Sequence, residues 1–179
     1  MELQKVETSQ WKDIKEIYKE AFPKQEQKPF FLLKASVRRG KVEIYTAVEE
    51  GQLLGFAAVI PLGNLVMVDY LAVSSKIRSR GTGGFIMGEL CKLFGDKKIV
   101  LLIEKTDKQA KNSEQRLARR RFYLKNGFTT SGLFVNGVSG TMEVMNYGGL
   151  VHPEEYLTMQ RYALGNIMFK LSKMKLVME

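Results

Sequence analysis

An α/β fold, with helices on both faces of a central mixed sheet, is what this sequence predicts. Three observations predict it. Leu65-Val66-Met67-Val68-Asp69-Tyr70-Leu71-Ala72-Val73 is a nearly continuous apolar run, the pattern of a central strand covered on both faces. Stretches of helical and strand periodicity interleave in the order β-α-α-β-β-β-α-β-α-β-β-α. A basic, glycine-rich loop joins the central strand directly to a helix.

Leu3–Thr8 reads as a short first strand. Ser9 is placed to cap a helix in which Trp11, Ile14, Ile17, Tyr18 and Ala21 recur, stopping near Pro23. Pro29 opens a second helix with Phe30, Phe31, Leu33 and Val37, and Gly40 ends it. Val42, Ile44, Thr46 and Val48 alternate with Glu43, Tyr45, Ala47 and Glu49, which predicts a half-buried strand. Glu50-Gly51-Gln52 turns the chain into a returning strand, Leu53–Ile60. A helix from about Gly83 to Phe94 follows the loop, then a buried strand, Ile99–Glu104. Ser113 caps a helix running to about Asn126, where Gly127 supplies the stop. Strands near Thr129–Val135 and Thr141–Tyr147 are joined by Asn136-Gly137. Pro153 and Glu154 begin a last helix expected to run to the end, with Gly165 its weak point. Gly148-Gly149 is the one seam, dividing a domain over residues 1–147 from a helical extension over 148–179 packed on it.

The chain has 179 residues, enough for one sizeable core. No stretch approaches the roughly 20 apolar residues that cross a bilayer, and the first residues lack the layout of a secretory signal. A single cysteine, Cys91, has no internal disulfide partner, in keeping with a reducing compartment. A cytoplasmic chain without a membrane partner is expected. The net charge of +9 asks for an anionic partner: nucleic acid, a membrane surface or a phosphorylated cofactor.

Where the charges sit narrows that choice. In Ser74-Ser75-Lys76-Ile77-Arg78-Ser79-Arg80-Gly81-Thr82-Gly83-Gly84 three glycines let a ligand approach the backbone. Free N–H groups and the positive end of the next helix make an anion site, to which Lys76, Arg78 and Arg80 add cations. Neither the spacing of a P-loop nor that of a dinucleotide fingerprint is present.

Arg78-Ser79-Arg80-Gly81-Thr82-Gly83 resembles the Arg/Gln-x-x-Gly-x-Gly/Ala signature with which GNAT N-acetyltransferases bind the pyrophosphate of acetyl-CoA. Tyr123-Leu124-Lys125-Asn126-Gly127-Phe128 is similar to that family's second signature, Tyr-x-x-x-Gly-Phe. The two stand in order, about 40 residues apart, with the strand Ile99–Glu104 between them. The resemblance implies a GNAT-like acyl-CoA N-acyltransferase fold with acetyl-CoA as co-substrate and no metal. It places the cofactor on Leu71, Ala72, Val73 and Arg78 to Gly84, with Ser79, Arg80, Gly81, Thr82 and Gly83 among them. An N–H around Ala72 or Val73 would polarise the thioester carbonyl, and Leu71 and Val73 would hold the pantetheine arm.

Acetyl transfer to an amine of pKa ~10.4 requires loss of a proton before attack, a donor for the oxyanion and an acid for the leaving thiolate. By resemblance Tyr123 is that acid; otherwise it is an aromatic of the helix face. Asp69 is the one acidic residue in the apolar strand, on the face of Met67 and Leu71. It is either a cleft residue able to act as base or a partner for a cation. Glu104, at the end of the next strand, is the second candidate. The resemblance also implies that the segment joining the first two helices borders the acceptor, so Glu26, Phe30 and Phe31 are candidates to shape specificity. Relatives often carry Asn where this chain has Arg116, and Asn112 is out of register.

Arg116, Arg119, Arg120 and Arg121 read as a solvated basic face. His152 has no metal-ligand partners, and Cys91 reads as a small buried residue. Leu164, Ile167, Met168, Leu171 and Met174 form an amphipathic stripe that packs on its own domain, with a homodimer contact or membrane surface as its other uses. The reading is an acetyl-CoA-dependent N-acetyltransferase with a small-molecule or peptide amine acceptor, working in a ternary complex. The alternative is a non-catalytic module, either a CoA sensor or a basic nucleic-acid binder.

Overall fold

The structure, a computed structural model, describes residues 1–24, 26–77, 81–137 and 140–178. The chain divides into two compact units, Met1–Pro61 with Val68–Leu93, and Leu62–Met67 with Phe94–Glu179. The fold is mixed α/β on a mixed sheet, as the sequence predicts.

The first unit holds β1 (Glu2–Lys5), α1 (Trp11–Ala21), α2 (Phe30–Arg38), β2 (Glu43–Glu49), most of β3 (Gln52–Leu62), the later part of β4 (Leu65–Val73) and α3 (Thr82–Leu93). These strands are neighbours in numerical order. β1 is shorter than expected, and a 3₁₀ turn, Thr8–Gln10, precedes α1. The Glu7 N–H donates to Gln10 Oε1 at 2.9 Å, so Glu7 and Gln10, not Ser9, close this end. α1 buries Ile14, Ile17 and Tyr18 on one side.

The half-buried reading of β2 is corrected: Ile44 to Val48 are all buried. The polar signal sits only at Glu43 and Glu49, while Tyr45 and Ala47 suit a covered face as readily as an open one. β2 and β3 pair antiparallel, with the register shifting between Ala47 and Val48. Just beyond that shift, Gly55 passes very close to β4. A Cβ built there would stand 2.6 Å from the Ala72 carbonyl oxygen and 3.2 Å from Val73 Cα, both backbone atoms that cannot rotate aside. Gly55→Ala is therefore expected to lower stability by about 1–3 kcal/mol through overpacking, read as a lower urea midpoint. An unchanged midpoint would show that the two strands separate freely here.

The second unit holds β5 (Lys98–Glu104), α4 (Ser113–Lys125), β6 (Thr129–Gly137), β7 (Gly140–Tyr147), α5 (Pro153–Leu164), α6 (Asn166–Leu171) and β8 (Lys175–Met178). Its strands lie in the order β5-β7-β6-β8, each pair antiparallel. Asn136 and Gly137 are not the turn: they pair with Thr141 and Gly140, and the connection falls on residues 138–139, outside the described ones.

Three further expectations change. Asn112, not Ser113, is the N-cap position of α4. The last helix does not run to the end. It stops at Gly165, whose φ of 78° and ψ of 156° leave the helical region. Residues Lys175–Met178 then pair with β6 as an extra strand. The apolar stripe does not pack inward either: Ile167 is 76% and Leu171 65% exposed.

Candidate active site

The first half of β4, Leu65 to Val68, is fully buried. From Asp69 onward the strand alternates, with Asp69, Leu71 and Val73 half-buried while Tyr70 and Ala72 stay covered. Side chains two apart share a face. β4 thus opens one face from Asp69 to its end, on the side where Leu71 and Val73 were assigned to the cofactor arm. The Ser74 N–H then donates to the Leu54 carbonyl at 2.9 Å, and a 3₁₀ turn, Ser75–Ile77, leads away.

Arg78, Ser79 and Arg80, assigned to the cofactor phosphates, lie outside the described residues. The loop resumes at Gly81, whose φ of +75° is one that side-chain-bearing residues rarely adopt. α3 begins at Thr82, and its first turn holds Gly83 and Gly84. The first N–H groups of any helix lack intrahelical partners, and the dipole there favours an anion. Thr82 Oγ1 is the one buried side-chain polar atom without a hydrogen-bond partner among the described residues, on a residue only 2% exposed. Glycine flanking, free amides and an orphaned hydroxyl are what a phosphate ester would satisfy. The residues present fit the pyrophosphate of a CoA thioester.

Asp69 has a partner that lies 41 residues away in sequence: Lys28 Nζ donates to its Oδ2 at 2.6 Å. The backbone of Lys28 is clamped by Tyr18, whose hydroxyl accepts from the Lys28 N–H at 2.8 Å and donates to the Lys28 carbonyl at 3.2 Å. The Tyr70 hydroxyl donates to the Glu26 carbonyl at 3.2 Å. Tyr18, Phe22, Phe30 and Tyr70 form one aromatic cluster, with ring centroids 4.9–5.8 Å apart. Phe30 belongs to this cluster, while Phe31 and the Glu26 side chain are exposed. Sequence reading assigned no role to Lys28, Tyr18 or Tyr70. A polar-tipped aromatic on a buried helix face was the only signal, and it is shared with ordinary core.

Glu104 is held from three sides. Arg116 Nη2 lies 3.0 Å from Oε1, Arg119 Nη1 lies 3.6 Å from Oε2, and the Asn112 amide donates at 3.1 Å. Asn112 also accepts from Arg116 Nε at 2.8 Å, so its side chain ties the network together. Arg120 Nε donates to Glu143 Oε2 at 3.0 Å. The solvated-face reading of this cluster is thereby corrected for Arg116, Arg119 and Arg120, whose charges meet carboxylates on β5 and β7. Arg121 is exposed.

Tyr123 sits near the end of α4, buried, with the Phe122 and Phe128 rings edge-on at 5.1 and 5.7 Å. Its carbonyl accepts from the Phe128 N–H at 3.1 Å, which fixes Phe128 after the Gly127 stop. Burial pushes the Tyr123 phenol up to about 12, with the nearby Arg119 charge pulling the other way. Cys91 is buried in α3, and burial raises its thiol to about 11. His152 is the N-cap of α5, its N–H donating to Glu155 Oε2 at 2.8 Å.

β4 opens one face from Asp69 onward, and Gly81 precedes a helix whose first-turn N–H groups favour an anion. The family follows from the sequence itself. The profile described as an acetyltransferase (GNAT) domain matches residues 40–130, just over half of the chain, and the chain belongs to that family. No curated protein matches it in sequence. Among solved structures it is similar in fold to a GNAT-family protein of Bacteroides thetaiotaomicron, with 21% identity and a TM-score of 0.74 over 94% of this chain and 98% of that one. The ribosomal-protein-alanine N-acetyltransferase of Brucella melitensis aligns with a TM-score of 0.63 and 16% identity over 82% and 99% of the two chains. An aminoglycoside 6'-N-acetyltransferase complexed with coenzyme A aligns with a TM-score of 0.65 and 17% identity over 82% and 96%.

Proposed function

We propose that the protein is an N-acetyltransferase that moves the acetyl group of acetyl-CoA to a primary amine by direct transfer in a ternary complex. The observation that carries this reading is the open face of β4 from Asp69 to Val73, together with Gly81 and the start of α3, where the Thr82 hydroxyl is buried without a hydrogen-bond partner among the described residues. Membership of the GNAT family supports it.

When bound, acetyl-CoA supplies an activated carbonyl and a leaving thiol of pKa ~8.5. The chain's own groups do the rest. The first-turn amides of α3 and Thr82 Oγ1 receive the pyrophosphate. Leu71 and Val73 offer backbone groups to the pantetheine arm, and an N–H at Ala72 or Val73 serves the carbonyl oxygen. Asp69 receives the acceptor's ammonium and takes its proton, directly or through water. Tyr123 is the acid for the sulfur. At neutral pH the phenol carries its proton and so has one to give, while burial, which raises its pKa to about 12, makes it a weaker acid than a free phenol. Glu104 is not the base in this reading, because two arginines and an amide occupy it. It positions α4 instead.

Calorimetry with CoA is expected to give micromolar binding, and acetyl-CoA with an amine panel is expected to release free thiol. An absence of heat with both CoA and acetyl-CoA would end the reading.

A further inference from the structure

We infer that the acceptor is zwitterionic, a primary amine carrying a carboxylate close to its nitrogen, and that it binds by dividing the Lys28–Asp69 ion pair. The inference rests on the acetyltransferase reading, since it needs Asp69 to face the acceptor.

The pair lies at 2.6 Å on the open face of β4, with Lys28 41% and Asp69 16% exposed at the side chain. The Lys28 ammonium is open to solvent, so a ligand that offers each ion a new partner can part the pair. The lysine backbone will not follow, because the Tyr18 hydroxyl holds both its N–H and its carbonyl. Only the flexible side chain swings, and its ammonium stays within reach of whatever occupies Asp69.

Charge then selects the ligand. Lys28 and Asp69 present one positive and one negative charge side by side, 2.6 Å apart. A polycation finds Asp69 already engaged and meets the Lys28 ammonium as repulsion. A plain amine takes Asp69 and strands Lys28 without its partner. A zwitterion leaves nothing stranded: its ammonium takes Asp69, and its carboxylate takes Lys28. Each ion released from the pair meets the charge it lost.

The test uses the full chain. CoA binding is first measured by calorimetry. Initial rates of thiol release from acetyl-CoA are then compared for a pool of the common amino acids, the pool of their methyl esters, and spermidine. We expect kcat/KM for the acid pool to exceed that for the esters and for spermidine by at least tenfold. In Lys28→Met the acid-over-ester preference is expected to vanish, with kcat/KM for the acid pool falling to that for the esters. In the CoA-loaded protein, the acid pool and not the esters should raise Tm, and Lys28→Met should abolish that shift. Intact CoA binding with equal use of acids and esters, preference for spermidine, or no turnover of the acid pool overturns the inference and leaves the acetyltransferase reading standing. Loss of CoA binding itself overturns both.

Discussion

Valine at position 81 is expected to abolish CoA binding, with the heat of titration falling to the level of dilution. Gly81 has a φ of +75°, and a Cβ there would meet nothing within 4 Å. The cost is therefore one of backbone conformation, not of space. A β-branched residue held in the left-handed region loses about 1–2 kcal/mol, and the chain escapes by rotating Gly81 out of it. That rotation swings the N–H groups at the start of α3, the donors assigned to the pyrophosphate, away from their common target. Micromolar affinity amounts to about 8 kcal/mol, and misdirecting several charge-assisted hydrogen bonds at once removes a large part of it. Gly83→Val should act by a different route, placing a branched side chain on the first turn where a ligand must approach, with little effect on melting. Full CoA binding in both variants would mean the phosphates are held elsewhere.

Tyr123→Phe is expected to lower turnover about a hundredfold or more, the range of a lost general acid, with CoA affinity unchanged. The ring packs against Phe122 and Phe128, and phenylalanine keeps those contacts. Only the proton donor goes. The pH profile sharpens the test. A phenol raised to about 12 by burial stays protonated until the medium approaches that value. So the wild-type rate should show no alkaline fall from this residue below about pH 11. The same shift favours the folded state fully below the ordinary phenol pKa of ~10, and that contribution fades as pH rises toward 12. A phenylalanine variant with undiminished turnover would remove Tyr123 from the chemistry.

What the sequence disclosed, and what it hid, divides by range. Local signals were legible. β4 begins and ends at Leu65 and Val73 as its apolar run predicts, and α2 begins just after Pro29. The glycine loop stood out because backbone conformation and helix termini are written in neighbouring residues. Features that depend on distant partners were not legible. Lys28 finds Asp69 across 41 residues, and Arg120 finds Glu143 across 23. Nothing near either arginine or lysine announces the acid it meets, so a paired face and a solvated one look alike. The tail shows the same limit. Lys175–Met178 becomes a strand because Leu133–Asn136 presents an edge to it, a template absent from the tail's own composition.

The lone thiol of Cys91 has a practical consequence. Sheltered within α3, with burial raising its thiol to about 11, it is expected not to react with disulfide dyes or alkylating agents while the chain is folded. Colour formed in a dye-coupled assay therefore reports the coenzyme alone, without a protein blank. The folded protein should also survive storage in air without reductant. Appearance of a dye-reactive sulfhydryl then becomes a ready count of unfolded molecules.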